Sequence, residues 1–165
     1  MMDELPPIVR EFEVACSVEH AFDMWTRQID LWWPLERHSV SQENAASVTV
    51  ETKLGGRIFE TTRDGKQIVW GAVNVWEPPS RFGYLWHIKE EDASEATQVT
   101  VTFTALGPAR TRIVIEHTGW ENAGRQAGPR WEGNVRGWDG AIPAFIAAIA
   151  GVRRRNRGTE GSESK

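Results

Sequence analysis

The stretch RWEGNVRGWDGAIPAFIAAIA, residues 130–150, decides the fold. Large apolar side chains recur along it at steps of four, three, four, three and four residues, which is the spacing of one face of an α-helix. At ~1.5 Å per residue this helix would be roughly 30 Å long, enough to cross a small domain. Because most of the preceding sequence alternates as β-strands do, we expect this face to pack on a sheet. The face consists of Trp131, Val135, Trp138, Ile142, Phe145 and Ile149.

Three glycines and one proline interrupt the same helix. Gly133, Gly137 and Gly140 each lower helix stability by about 1 kcal/mol relative to alanine, and Pro143 removes a backbone donor and should bend the axis. A bent helix arches over a curved sheet, and the space beneath it is either a pocket or a filled core. In the first case the two tryptophans of this helix face a ligand, and in the second they only fill volume.

The composition predicts one soluble domain in a reducing, cytoplasmic setting. A chain of 165 residues can bury about 70% of its unfolded surface in a single core. Cys16 is the only cysteine, which excludes an internal disulfide. No signal peptide and no membrane span are expected, since no segment reaches about 18 consecutive apolar residues. We expect an N-terminal extension over residues 1–7, a folded domain over residues 8–151 and a disordered tail over residues 152–165.

The charge balance argues against a nucleic-acid partner. The net charge is −4, whereas nucleic-acid-binding domains are usually basic. One cationic run, Arg153, Arg154, Arg155 and Arg157, follows the long helix and is favourable at a helix C-terminus. Nine tryptophans against one tyrosine indicate a large interior, a ligand cavity or an interface.

The remaining pattern predicts one strand, two short helices and a meander of about six strands before the long helix. Ser17 is placed to cap a helix that carries Phe22 and Trp25, and Asp64-Gly65 favours a tight hairpin turn. Short connections make neighbouring strands antiparallel, so the fold class is α+β. The polar residues 35–46 are predicted to form a long loop, of the kind that is often a mouth or a lid. The expected strands are Ile8–Cys16, Ser47–Leu54, Arg57–Thr62, Gln67–Trp76, Arg81–Ile88, residues 99–104 and Thr111–Thr118.

With its strands and helices in this order, the sequence resembles the helix-grip fold of the START-like (SRPBCC, birch-pollen-allergen-like) superfamily. Within it, the chain is similar to the family named after the activator of the ninety-kilodalton heat-shock chaperone's ATPase. The resemblance implies a strongly curved antiparallel sheet of about seven strands that grips the C-terminal helix around a cavity for an apolar molecule. It rests on residues 14–25, Trp32-Trp33-Pro34, Leu54-Gly55-Gly56-Arg57, residues 71–79 ending in Glu77-Pro78-Pro79, Phe82/Tyr84/Trp86, residues 111–119 with His117, and Gly137-Trp138.

The titratable residues predict no metal site, no cofactor and no catalytic nucleophile. The histidines His20, His38, His87 and His117 are far apart in sequence, and no His-Glu-x-x-His or Cys-x-x-Cys pattern occurs. His117 shares its strand face with Ile113 and Ile115, so it should project toward the helix. There it either contacts a ligand or is a core histidine satisfied by neighbouring groups.

An aromatic-rich set of side chains is predicted to line a cavity between sheet and helix, because helix-grip folds turn these positions inward. Apolar pockets with a few polar groups are the usual small-molecule sites. The predicted ligand-binding residues are Trp33, Phe59, Trp70, Tyr84, Trp86, Phe103, Ile115, His117, Trp120, Trp131 and Trp138.

Three functions compete. The first is a non-catalytic binder of an apolar or aromatic small molecule, a lipid included. The second, implied by the family resemblance, is a co-chaperone-like partner that activates a heat-shock chaperone in a stress response. The third is a cyclase or hydrolase that uses His117 as its base.

Overall fold

The computed structural model describes residues 5–34, 44–86, 96–124 and 127–161. Over these residues the chain forms seven strands, a short helix, two 3-10 turns and a long C-terminal helix. The strands are β1 (Ile8–Val14), β2 (Ala45–Val50), β3 (Arg57–Thr62), β4 (Gln67–Glu77), β5 (Arg81–Trp86), β6 (Thr97–Gly107) and β7 (Arg110–Thr118); the helices are α1 (Val18–Trp25) and α2 (Ala127–Gly161), and the 3-10 turns are Ile29–Leu31 and Trp120–Asn122.

The seven strands form one antiparallel sheet in the order β1-β7-β6-β5-β4-β3-β2. The first strand pairs with the last, in a register that joins Ile8 to His117 and Val14 to Thr111. The sheet curls into a half-barrel, with the long helix α2 packed against it. The predicted α+β class and helix-grip arrangement are confirmed.

Local signals placed most elements correctly. The Ser17 hydroxyl accepts a hydrogen bond from the His20 backbone N–H at 3.1 Å, and so caps α1 as predicted. Strand β2 ends earlier than expected, because the chain turns after Val50 and reaches a positive φ of 82° at Gly55. Such a backbone conformation suits glycine and cannot continue a strand.

Helix α2 packs the predicted face inward, and its deepest positions alternate large and small residues. Trp138 and Phe145 are buried together with Ala141 and Ala148. The other large residues of the predicted face, Trp131, Val135, Ile142 and Ile149, are partly buried. The apolar spacing therefore predicted this face of α2 correctly. The buried alanines, which allow α2 to pack closely on the core, are too small to be recognised from an apolar pattern.

The helical backbone continues through Pro143 and departs from helical dihedral angles at Gly151, with φ −128° and ψ 20°. Gly151 lies where the folded domain was predicted to end. The side chains of residues 152–161, including the arginine run, lie outside the described part of the chain. The disordered tail and the N-terminal extension remain predictions.

Trp25 is the centre of the core. Its ring lies 4.7 Å from the Phe145 ring of α2 and 6.3 Å from the Phe103 ring of β6, measured between centroids. It also packs 4.8 Å from Trp32, whose indole N–H donates to the Met24 carbonyl at 2.8 Å. Trp25 thus joins α1 to both the sheet and the long helix.

Candidate functional site

A narrow cavity lies between the concave face of the sheet and the helices. Its volume is about 10 Å³, which is room for about one water molecule. A larger ligand therefore requires the walls to move apart. The described lining consists of Trp25, Ile29, Trp33, Val50, Ile58, Trp70, Phe82, Tyr84 and Trp138.

Strands β2 to β5 supply one side of this cavity through inward-facing residues, as the alternation of a strand requires. Phe82 and Tyr84 lie two residues apart on β5, so they share a face. Helices α1 and α2 supply Trp25 and Trp138 on the other side. The 3-10 turn and the residues just after it add Ile29 and Trp33.

Two strands come unusually close beside the cavity. A side chain at Gly71 would place its Cβ only 1.8 Å from the Leu85 carbonyl oxygen of the neighbouring strand. Gly71 pairs with Trp86 on β5 and with Ile58 on β3, and the β3–β4 register shifts immediately after Ile58. Glycine at this position therefore permits the close contact between β4 and β5.

The lining is aromatic and aliphatic, and none of its nine described residues is charged. Tyr84 is its one ionisable group, and burial raises the pKa of Tyr84 well above its usual value. Its phenol is therefore a neutral hydrogen-bond donor at any physiological pH. The indole N–H of Trp70 is directed to the fully buried Glu60, whose Oε1 accepts it at 2.8 Å.

His117 lies behind the wall and not in it. It is fully buried, its Nδ1 accepts the Trp138 indole N–H at 3.1 Å, and its Nε2 lies 2.7 Å from the Thr97 hydroxyl. An indole can only donate, so Nδ1 carries no proton and Nε2–H donates to Thr97. Burial, with a smaller contribution from the Arg130 charge, lowers the pKa of His117 to about 3.

Acid should destabilise the protein through His117. In the unfolded chain His117 takes up a proton near pH 6.5, whereas in the folded chain it does so only near pH 3. The stability supplied by neutral His117 is therefore complete above pH 6.5 and is lost as the pH falls. Between pH 8 and pH 4.5 we expect this residue to account for about 2 to 3 kcal/mol of lost stability. Urea unfolding at both pH values would measure it. In His117→Leu that share of the pH dependence should be absent, and an identical pH dependence in both proteins would contradict the assignment.

Four of the eleven predicted ligand-binding residues line the described cavity: Trp33, Trp70, Tyr84 and Trp138. Trp86 packs behind them, with its ring centroid 5.3 Å from that of Trp70.

The other predicted residues make contacts elsewhere. Phe103 packs on Phe22 and Trp25 in the core, where Ile115 is also fully buried. Trp120 stacks 4.5 Å from the His117 ring. Trp131 donates its N–H to the Pro6 carbonyl at 2.8 Å, and Phe59 lies under the Arg57 guanidinium, 4.7 Å from its carbon.

Sequence reasoning did not include five of the lining residues: Trp25, Ile29, Val50, Ile58 and Phe82. Phe82 is two residues from Tyr84 on β5 and Trp25 lies with Phe22 on α1, so strand alternation and helical spacing could have added both. His38 and His87, together with most of the predicted loop 35–46, lie outside the described residues. In the part of the chain that the structure does describe, no three histidine, cysteine or carboxylate side chains are grouped to hold a metal ion. The helices of this part include none long and apolar enough to span a bilayer.

Residues 15–150 fit the model of the "Activator of Hsp90 ATPase homolog 1-like protein" family. Among proteins of curated function, none matches the sequence.

Solved structures with the same fold include proteins of different kinds. An anthrahydroquino-gamma-pyrone synthase, Txn09, complexed with SUM, is 30% identical over 90% of this chain and 99% of its own, with a TM-score of 0.63. An HSP90 activator from Plasmodium falciparum is 21% identical over 88% and 96% of the two chains, with a TM-score of 0.60. The self-sacrificing resistance protein CalC from Micromonospora echinospora is 23% identical over 87% and 94%, with a TM-score of 0.63. The last two similarities show the fold alone.

Proposed function

This chain belongs to the family of Activator of Hsp90 ATPase homolog 1-like proteins, and from that premise we propose that it binds a neutral, flat aromatic small molecule between its sheet and α2. The observation that carries the proposal is the lining: five of its nine residues are Trp or Tyr, and none is charged. A charged ligand would lose its hydration there without gaining an oppositely charged partner in the lining. A neutral aromatic ligand would exchange water for ring contacts.

The shape of the gap supports a flat ligand. The free volume holds about one water, so the walls must separate, and a planar ring system requires a separation of only one ring thickness, ~3.5 Å. Trp33 is the lining residue whose side chain we expect to move. It is half-buried and follows the 3-10 turn, and its ring rests 5.3 Å from Trp70. Apart from Ile29 in the 3-10 turn, the other lining residues belong to strands β2 to β5 and to helices α1 and α2.

The similarity to Txn09 supports a fused-ring ligand, since that protein is by name an anthrahydroquino-gamma-pyrone synthase and is 30% identical to this chain. In the proposed role the protein binds its ligand without turnover. We further propose a cytoplasmic setting, because a chain with a single cysteine has no disulfide to maintain.

Two matched probes test the proposal and the role of Tyr84. The compound 9-fluorenone carries a carbonyl acceptor, whereas fluorene has the same fused rings without it. Both should quench tryptophan emission saturably. Tyr84→Phe should weaken fluorenone about tenfold, equivalent to ~1.4 kcal/mol for one hydrogen bond, and should leave fluorene within about twofold. Equal effects on both probes would show that Tyr84 does not bind the carbonyl. The absence of a saturable response to both probes would refute the proposal.

Activation of a chaperone ATPase is the second candidate, favoured by the description of the family. It predicts faster ATP turnover by Hsp90 in the presence of this protein. No stimulation at saturating concentration would exclude it.

Catalysis on the same ligand is a third candidate, favoured by the identity to a synthase. His117 is poorly suited to be its base, because its lone pair is occupied by the Trp138 N–H. Product formation from an aromatic polyketide by the wild-type protein, lost in Tyr84→Phe, would support this candidate over simple binding.

A further inference from the structure

The Trp138 wall of the cavity is held from behind by a chain of three side chains from three elements. Thr97 of β6 accepts from His117 of β7, and His117 accepts from Trp138 of α2, at 2.7 Å and 3.1 Å. Thr97 and His117 are both fully buried, and Trp138 is 5% exposed. Of the three, only Trp138 lines the cavity.

We propose that His117 is a positioning residue of the binding site. It accepts the hydrogen bond from the single N–H of Trp138 and thereby fixes the face that this indole presents to the ligand. The inference rests on the proposed function and assigns His117 no contact with the ligand.

The chemistry of the indole carries the argument. Trp138 has one polar atom, a donor, and a buried donor without an acceptor is strongly disfavoured. With its N–H directed at His117, the ring is held in one orientation and contributes an apolar π surface to the cavity. If the ring turned about its side-chain bonds, it would lose this acceptor and would change the width of the gap.

His117 is suited to this role because its own orientation is fixed on two further sides. Its Nε2–H donates to Thr97, and the Trp120 ring lies 4.5 Å from its own, tilted by 38°. The Trp120 N–H donates in turn to the His117 carbonyl at 3.0 Å. The acceptor atom Nδ1 is therefore held in place by groups on the sheet and on the Trp120 turn.

A double-mutant cycle separates positioning from general support of the fold. His117→Leu removes the acceptor, Trp138→Phe keeps a ring without an N–H, and the third variant combines them. We expect His117→Leu to weaken 9-fluorenone binding about tenfold in the wild-type background and less than about twofold in Trp138→Phe. Asp139→Ala is the control, because Asp139 is next to Trp138 but is exposed and paired with Arg10 at 2.9 Å; its affinity should be unchanged.

Equal losses in both backgrounds, or no loss in either, would overturn the positioning role. If His117→Leu does not fold, Thr97→Val takes its place, because it removes only the partner of His117 Nε2. It should weaken fluorenone severalfold in the wild-type background alone.

A second readout needs no ligand. Hydrogen exchange of the Trp138 indole N–H, followed by NMR, should be at least about tenfold faster in His117→Leu or Thr97→Val than in the wild-type protein. Unchanged exchange would overturn the positioning role even if fluorenone binds. If the wild-type protein binds neither probe but indole exchange is faster in the variants, the proposed function is refuted and the positioning of Trp138 by His117 is retained.

Discussion

Replacing Trp25 by alanine should lower the free energy of unfolding by about 3 to 5 kcal/mol, the usual loss for a large aromatic side chain in a core. Trp25 is 2% exposed. Its ring contacts Phe145 and Trp138 on α2 and Phe103 on the sheet. Its removal therefore leaves a void where α1, α2 and the sheet meet. Urea unfolding followed by far-ultraviolet circular dichroism would measure the loss.

Trp131→Ala is the matched control, since it removes the same side chain from the same fold. Trp131 is only partly buried and makes one hydrogen bond, to Pro6. We expect it to lower stability by about 1 kcal/mol. Equal losses for the two variants would contradict the placement of Trp25 at the centre of the core.

Gly71→Ala should be at least as damaging, with a loss of about 4 kcal/mol or more. The new Cβ would lie 1.8 Å from the Leu85 carbonyl oxygen. A backbone atom between paired strands cannot move aside as a flexible side chain does, so β4 and β5 would have to separate next to Trp70 and Tyr84. Thermal and urea unfolding would report the loss, and the variant should accumulate poorly.

Gly137→Ala supplies the control of opposite sign. It lies within α2, and a Cβ there meets nothing within 4 Å. Alanine should raise stability by up to about 1 kcal/mol, because it favours helix over the unfolded chain. If Gly71→Ala were also neutral or stabilising, the close approach of β4 and β5 would be refuted.

The periodicity of the sequence was sufficient to predict most of the fold. The apolar spacing through Trp138 and Phe145 identified α2, and the Ser17 cap identified α1. Alternation in β7 placed His117 on the inner face together with Ile113 and Ile115, where all three are buried. Each of these signals depends on neighbours along the chain, which a sequence shows directly.

The site was harder to predict because it depends on contacts between distant segments. At the register shift, Ile58 pairs with Gly71 and Phe59 pairs with Val69, so Trp70 is an extra residue on β4. No local sequence pattern predicts this irregularity. Glu60 is fully buried and accepts the Trp70 N–H, whereas its sequence context is that of an ordinary polar strand residue. The role of His117 depends on Thr97 and Trp138, which lie 20 and 21 residues away.

A crystal structure of the wild-type protein soaked with 9-fluorenone tests the proposed cavity most directly. We expect the fused rings to lie between Tyr84 and Trp138, with the carbonyl oxygen about 2.7 Å from the Tyr84 hydroxyl and Trp33 displaced from Trp70. Fluorenone found only on the outer surface, or absent at saturating concentration while the indole rings keep their positions, would contradict binding between the sheet and the long helix.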